Sequence, residues 1–126
     1  MDIQGQAAIV SGGASGLGRA TAQALAANGA KVAVLDINEG AAAETARQTG
    51  GFAIAADVTD AASVEAAVAA ARERHGPARI AVNCAGIGTP GRIVGREGPM
   101  PLDAIPARIP RVAHAVLGNG VADALR

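Results

Sequence analysis

Residues 7–18 read Ala7-Ala8-Ile9-Val10-Ser11-Gly12-Gly13-Ala14-Ser15-Gly16-Leu17-Gly18, and these twelve positions decide the fold. Ala7 to Ser11 is a short apolar run with no polar alternation, the mark of a strand buried on both faces. It stops at Gly12-Gly13. From Leu17 to Asn28 the spacing becomes helical, with Leu17, Ala20, Ala24 and Leu25 available for one face. Asn28-Gly29 supplies the stop, since Gly tolerates the left-handed conformation that closes a helix. A buried strand, a glycine turn and a helix thus follow one another within 23 residues of chain.

The same alternation continues. Lys31 to Leu35 predicts a second strand ended by Asp36, and Asn38 is placed to cap a helix over Glu39–Gln48. Phe52 to Ala56 predicts a third strand, followed by Asp57-Val58. Asp60 is a candidate cap for a long helix reaching His75, with Val64 and Val68 four apart, and Gly76-Pro77 ends it. Arg79 to Val82 predicts a fourth strand, with Asn83-Cys84-Ala85-Gly86 at its carboxyl end. Strand–helix repeated three times and then a strand predicts an α/β fold, a Rossmann-type doubly wound parallel sheet in the order three-two-one-four. Each crossover is expected to be right-handed.

Composition narrows the function. The 126 residues suit one domain or part of one, half of them are hydrophobic, and 11 basic side chains balance 11 acidic ones. That balance favours neither nucleic acid nor an anionic membrane. Phe52 is the sole aromatic of the Phe/Trp/Tyr class, so no stacking platform for bases is on offer. Cys84 is the single cysteine, which excludes an internal disulfide and a cysteine-based metal cluster and points to a reduced, cytoplasmic setting. The N-terminus lacks the features of a signal peptide, and no apolar run approaches a membrane span.

The glycine loop carries the chemistry. Gly12 permits the tight turn, Gly16 lets backbone approach a pyrophosphate, and Gly18 lets the helix pack closely on the strand. With Ser15 and Leu17 these residues form a candidate phosphate cradle at a helix N-terminus, where unpaired amides await an anion. The alternative is a turn that is merely structural. Asp36 lies 18 residues after Gly18, and a carboxylate there accepts both hydroxyls of an adenosine ribose while repelling a 2′-phosphate. No Arg or Lys lies within the loop to receive that phosphate. The expected cofactor is therefore NAD rather than NADP; the competing reading of Asp36 is a solvated residue after a strand.

From residue 5 to about residue 104 the chain resembles the classical short-chain dehydrogenase/reductase family. Gly12, Gly16 and Gly18 match its GxxxGxG spacing, Asn83, Ala85 and Gly86 match NxAG, and Asp57-Val58 matches the pair after the third strand. The resemblance implies that Asp57 meets the adenine amino group, Val58 offers a backbone amide, Asn83 braces the sheet, and Ala85 and Gly86 line the ribose side. Read from residues alone, Asp57 equally suits a cap-like place at a loop start, and Asn83 a backbone-satisfying role. Asn83-Cys84-Ala85-Gly86 with Pro101-Leu102-Asp103 looks most like type-2 3-hydroxyacyl-CoA dehydrogenases, which implies oxidation of a 3-hydroxyacyl-CoA.

Family members use a Tyr, a Lys four residues later and a nearby Ser. This sequence has no Tyr, and its one Lys is Lys31, so no catalytic residue is assigned. His75, His114 and Cys84 are expected in packing or surface roles, Cys84 as a buried small residue. Gly88 to Pro101 reads as a long loop, and Arg111 to Arg126 as a last helix interrupted by Gly118 and Gly120. Ile105-Pro106 departs from the family pattern, and Val112 stands where its Asn is expected. The expected organisation is a partial NAD-binding Rossmann domain over 1–104, truncated after the fourth strand, with an atypical tail over 105–126.

Relatives in the family are homo-oligomers whose interface helices this chain lacks, so a marginally stable, aggregation-prone product is expected. The resemblance implies the cofactor-binding half of an NAD-dependent oxidoreductase, expected to be inactive alone. The competing readings are a non-catalytic dinucleotide-binding module and a nonfunctional fragment.

Overall fold

A computed structural model describes residues 2–86 together with the backbone of Val94–Gly95 and Gly98–Pro99. Strands β1 (Ala7–Ser11), β2 (Lys31–Asp36), β3 (Phe52–Ala55) and β4 (Ile80–Asn83) alternate with helices α1 (Gly16–Ala27), α2 (Glu39–Thr49) and α3 (Ala61–His75). The sheet is all parallel in the order β3-β2-β1-β4, as the alternation predicts. Val10 lies between Val34 of β2 and Val82 of β4, which fixes the register of the centre.

Strand alternation divides the core in two. Ala8, Val10, Val32 and Val34 face one side with Ala22, Ala42 and Ala46, the layer of α1 and α2. Ile9, Ala33 and Leu35 face the other, against Val64, Ala67, Val68 and Ala71 of α3. The two central strands, β1 and β2, bury both faces, which is why they read as continuous apolar runs. Fully burying a side chain such as Ile9 or Leu35 contributes about 1.5–3 kcal/mol.

The helix caps follow the sequence. Asn38 Oδ1 accepts from the Ala41 amide at 3.1 Å, and Asp60 Oδ1 from the Ala62 amide at 3.2 Å. In α1 the buried face differs from the expected one. Gly18 and Ala22 are buried and Leu25 and Ala26 pack on the core, whereas Ala20 and Ala24 are exposed and Leu17 is 82% exposed. Taking Leu17 as the anchor misplaces the stripe by one position. The close approach is made by Gly18, where a Cβ would collide with the Gly12 carbonyl oxygen.

A second correction concerns the segment read as a long loop. β5 (Val94–Gly95) and β6 (Gly98–Pro99) pair antiparallel, with Val94 opposite Pro99 and Gly95 opposite Gly98. Proline is tolerated there because a two-stranded ribbon leaves outward positions that need no N–H donor. The helix expected over 111–126 and the tail from residue 105 lie outside the described residues.

Candidate functional site

All four parallel strands end on the same side, and the chain leaving each one contributes to a single open cavity of about 420 Å³. From β1 come Gly12, Ser15, Gly16, Leu17 and Gly18; from β2, Asp36 and Ile37; from β3, Ala56 to Thr59; from β4, Cys84, Ala85 and Gly86. The cavity opens at the carboxyl ends of the strands, where the order reverses between β1 and β4. Ligands of open α/β sheets enter at this switch point.

The structure thus brings together every candidate residue except Asn83. Asn83 is paired with Ser11 across β1 and β4, and its Oδ1 accepts from the buried Ser11 hydroxyl at 3.4 Å. It lies beside the cavity and not in its wall. Ile37, Ala56, Thr59 and Cys84 line the cavity without having been singled out as site residues. Ile37 carried a usable signal, since it follows Asp36 directly, and it is 74% exposed. Cys84 is half-buried, not buried as expected, because it follows the end of β4 at Asn83 and lines the open cavity.

Two motifs far apart in sequence meet here. Gly12 has φ +69°, and a Cβ on it would sit 2.5 Å from the Ala85 nitrogen. The glycine loop and the Asn83–Gly86 segment therefore touch backbone to backbone, and only glycine permits that approach. Gly16 is the opposite case, because a Cβ there would meet nothing within 4 Å. Space is left at the N-terminus of the helix.

The electrostatics of the α1 terminus suit an anion. Ser15 is the N-cap residue, but its side chain makes no capping bond, and no acidic residue occupies the first turn. The leading amides of a helix have no partner in a preceding turn and carry the positive end of its dipole. A dinucleotide's pyrophosphate fits this cradle in charge, in donor chemistry and in room.

Asp36 closes the side of the cavity next to the loop. Its Oδ2 accepts from the Ala14 amide at 3.0 Å, and its Oδ1 from the Asn38 amide at 3.0 Å. A carboxylate oxygen has two acceptor positions, so each retains one for a hydroxyl. Asp57 is also engaged: its Oδ1 accepts from the Thr59 hydroxyl at 2.6 Å and the Thr59 amide at 2.9 Å. Those bonds, the hydroxyl's first, hold its carboxyl below the usual range. The cap-like role read for Asp57 is thus realised within the cavity wall.

Lys31 opens β2 at the end remote from Asp36. His75 packs against Phe52 with ring centroids 5.3 Å apart, away from the cavity lining. Among the described residues, no group of His, Cys, Asp and Glu is arranged to hold a metal, and no helix is long and apolar enough to cross a membrane.

Comparison with known proteins agrees with this geometry. The short chain dehydrogenase family matches residues 6–99. Sorbitol dehydrogenase of Cereibacter sphaeroides is 45% identical over 89 residues, covering 69% of this chain and 35% of the relative. The type-2 3-hydroxyacyl-CoA dehydrogenase of Bos taurus is 44% identical over 88 residues, covering 68% of this chain and 33% of that one. The chain spans about a third of the length of these relatives. Among solved structures, a mutant of a Serratia marcescens short-chain dehydrogenase/reductase superposes with a TM-score of 0.78 at 31% identity, covering 97% of this chain and 52% of that one. Several differently named dehydrogenases match at similar identity, so the expected special closeness to the type-2 enzymes is not established. With that match running from before β1 through β6, and the sheet order in agreement, the chain belongs to the short-chain dehydrogenase family.

Proposed function

We propose that this chain supplies the NAD-binding part of an oxidoreductase that moves hydride between a secondary alcohol and a nicotinamide. One observation carries the choice of NAD: the Asp36 carboxylate faces the cavity beside the glycine loop, oriented by the Ala14 and Asn38 amides. One free acceptor position on each oxygen suits the two hydroxyls of an adenosine ribose, and the negative charge opposes a 2′-phosphate. Among the described residues, none that lines the cavity is basic. The exposed Ile37 and the neighbouring Val58 offer apolar surface for the adenine. The pyrophosphate takes the amides of Ser15 to Gly18, and Ala85 and Gly86 form the far wall toward the nicotinamide ribose.

When bound, the nicotinamide accepts or donates the hydride. This chain's own residues bind and orient. With no Tyr in the sequence and Lys31 at the wrong end of β2, no side chain among the described residues is placed to move the alcohol proton, so the chain alone is expected to bind without turnover. Relatives named for a sugar alcohol and for an acyl-CoA match almost equally. A 3-hydroxyacyl-CoA is one member of the proposed substrate class.

The test is a fluorescence titration of the full chain with NADH and NADPH. NADH is expected to bind more tightly. Asp36→Ala should weaken NADH about ten- to a hundredfold, the worth of hydrogen bonds to a charged acceptor, and narrow the gap to NADPH. Equal affinities for both dinucleotides in both proteins would overturn the assignment to NAD.

A further inference from the structure

Arg19 stands in the first turn of α1, where a cation opposes the helix dipole. It is half-buried and does not line the cavity. Its guanidinium turns away from the phosphate cradle: Nη2 donates to the Ala14 carbonyl and Nε donates to Thr45 Oγ1 at 3.2 Å. Thr45 is fully buried on α2, one of two buried polar side chains among the described residues, and its hydroxyl donates to the Ala41 carbonyl at 3.3 Å.

Followed onward, these bonds close a circuit. The Ala41 amide donates to Asn38 Oδ1, the Asn38 amide donates to Asp36 Oδ1, and Asp36 Oδ2 accepts from Ala14, the residue whose carbonyl Arg19 holds. Each Asp36 oxygen is thereby aimed by one amide, one belonging to the glycine loop and the other to the cap of α2. The separation of those two amides sets the plane of the carboxylate. The Arg19–Thr45 strut is the side-chain link that ties the loop directly to α2.

We propose that Arg19, braced by Thr45, is the positioning residue for cofactor selectivity: it acts through Ala14 to hold Asp36 in the orientation that distinguishes a ribose 2′-hydroxyl from a 2′-phosphate. The inference rests on the dinucleotide reading of the cavity. Loss of the strut frees the loop to shift against α2. The carboxylate then rotates, and its two-point match to the ribose hydroxyls is lost before its charge is.

The experiment measures NADH and NADPH affinities of the full-length parent, Arg19→Met, Thr45→Val and the double variant, with circular dichroism to verify the fold of each. Arg19→Met is expected to lower the NADH-to-NADPH affinity ratio about tenfold, the worth of one charge-assisted hydrogen bond. Thr45→Val, nearly isosteric, should shift the ratio in the same direction, and the double variant should go no further than Arg19→Met because both act through one route. A role confined to packing would weaken both dinucleotides in parallel. An unchanged ratio in folded Arg19→Met overturns the proposal; if that variant fails to fold, an unchanged ratio in Thr45→Val does so. A parent that binds neither dinucleotide defeats the reading of the cavity itself, and this inference with it. That failure shows before any variant is made.

Discussion

Asp57 and Thr59 show how one pair of side chains shapes both a loop and a titration. The Thr59 hydroxyl is the main reason the Asp57 carboxyl titrates below its ordinary range, followed by the Thr59 amide. Thr59→Ala is therefore expected to raise the Asp57 pKa toward its ordinary value, read from the carboxyl carbon shift in an NMR titration. The sign follows from linkage. A carboxyl whose folded pKa is depressed stabilises the fold above its unfolded pKa, and that contribution disappears as pH falls through the folded value. Glu44, lowered by its hydrogen bonds to Arg47 and then Gln48, acts in the same direction. At this scale residue type and place were legible, and neighbours were not. Asp36 stood out because it ends an apolar strand 18 residues after Gly18. That its oxygens are already aimed by Ala14 and Asn38 depends on contacts across two loops.

Elements were the most legible level, because strands and helices here carry local signals. Apolar runs mark β1, stopped by Gly12-Gly13, and β2, ended by Asp36, and Asn38 and Asp60 mark the starts of α2 and α3. Asp60→Ala should lower unfolding free energy by about 1 kcal/mol through loss of the cap. Urea denaturation measures it, and NADH affinity should stay unchanged, since Asp60 is not part of the cavity wall. Two readings at this level were displaced. The buried stripe of α1 lies on Gly18 and Ala22, because backbone approach at the glycine loop outranks the size of Leu17. The β5–β6 ribbon was hidden by its composition: glycine and proline between residues 88 and 101 weaken strand propensity, and only pairing across the ribbon supplies the missing preference.

For the molecule as a whole, the cavity joins segments from all four strand ends, so ligand binding and folding are coupled. NADH at a hundredfold excess over Kd should add about 2.7 kcal/mol of stability, which for a domain of this size raises Tm by about 10 °C in differential scanning calorimetry. No rise in Tm with NADH would contradict the proposed cofactor site. What the sequence by itself determined was the succession of elements from β1 to β4, the caps of α2 and α3 and the parallel sheet order, because periodicity, capping and short connections are properties of neighbouring residues. It also marked the glycine loop and Asp36 as a pair, through a spacing that a strand–helix–strand unit imposes. The tertiary structure alone decided that Gly12 lies against Ala85, that Ile37 and Cys84 enter the wall while Asn83 stays outside, and that Arg19 links the loop to Thr45. Those facts depend on how closely separate segments approach in space. Side-chain reach and backbone clearance settle that distance, and neither is written in the spacing of residues along the chain.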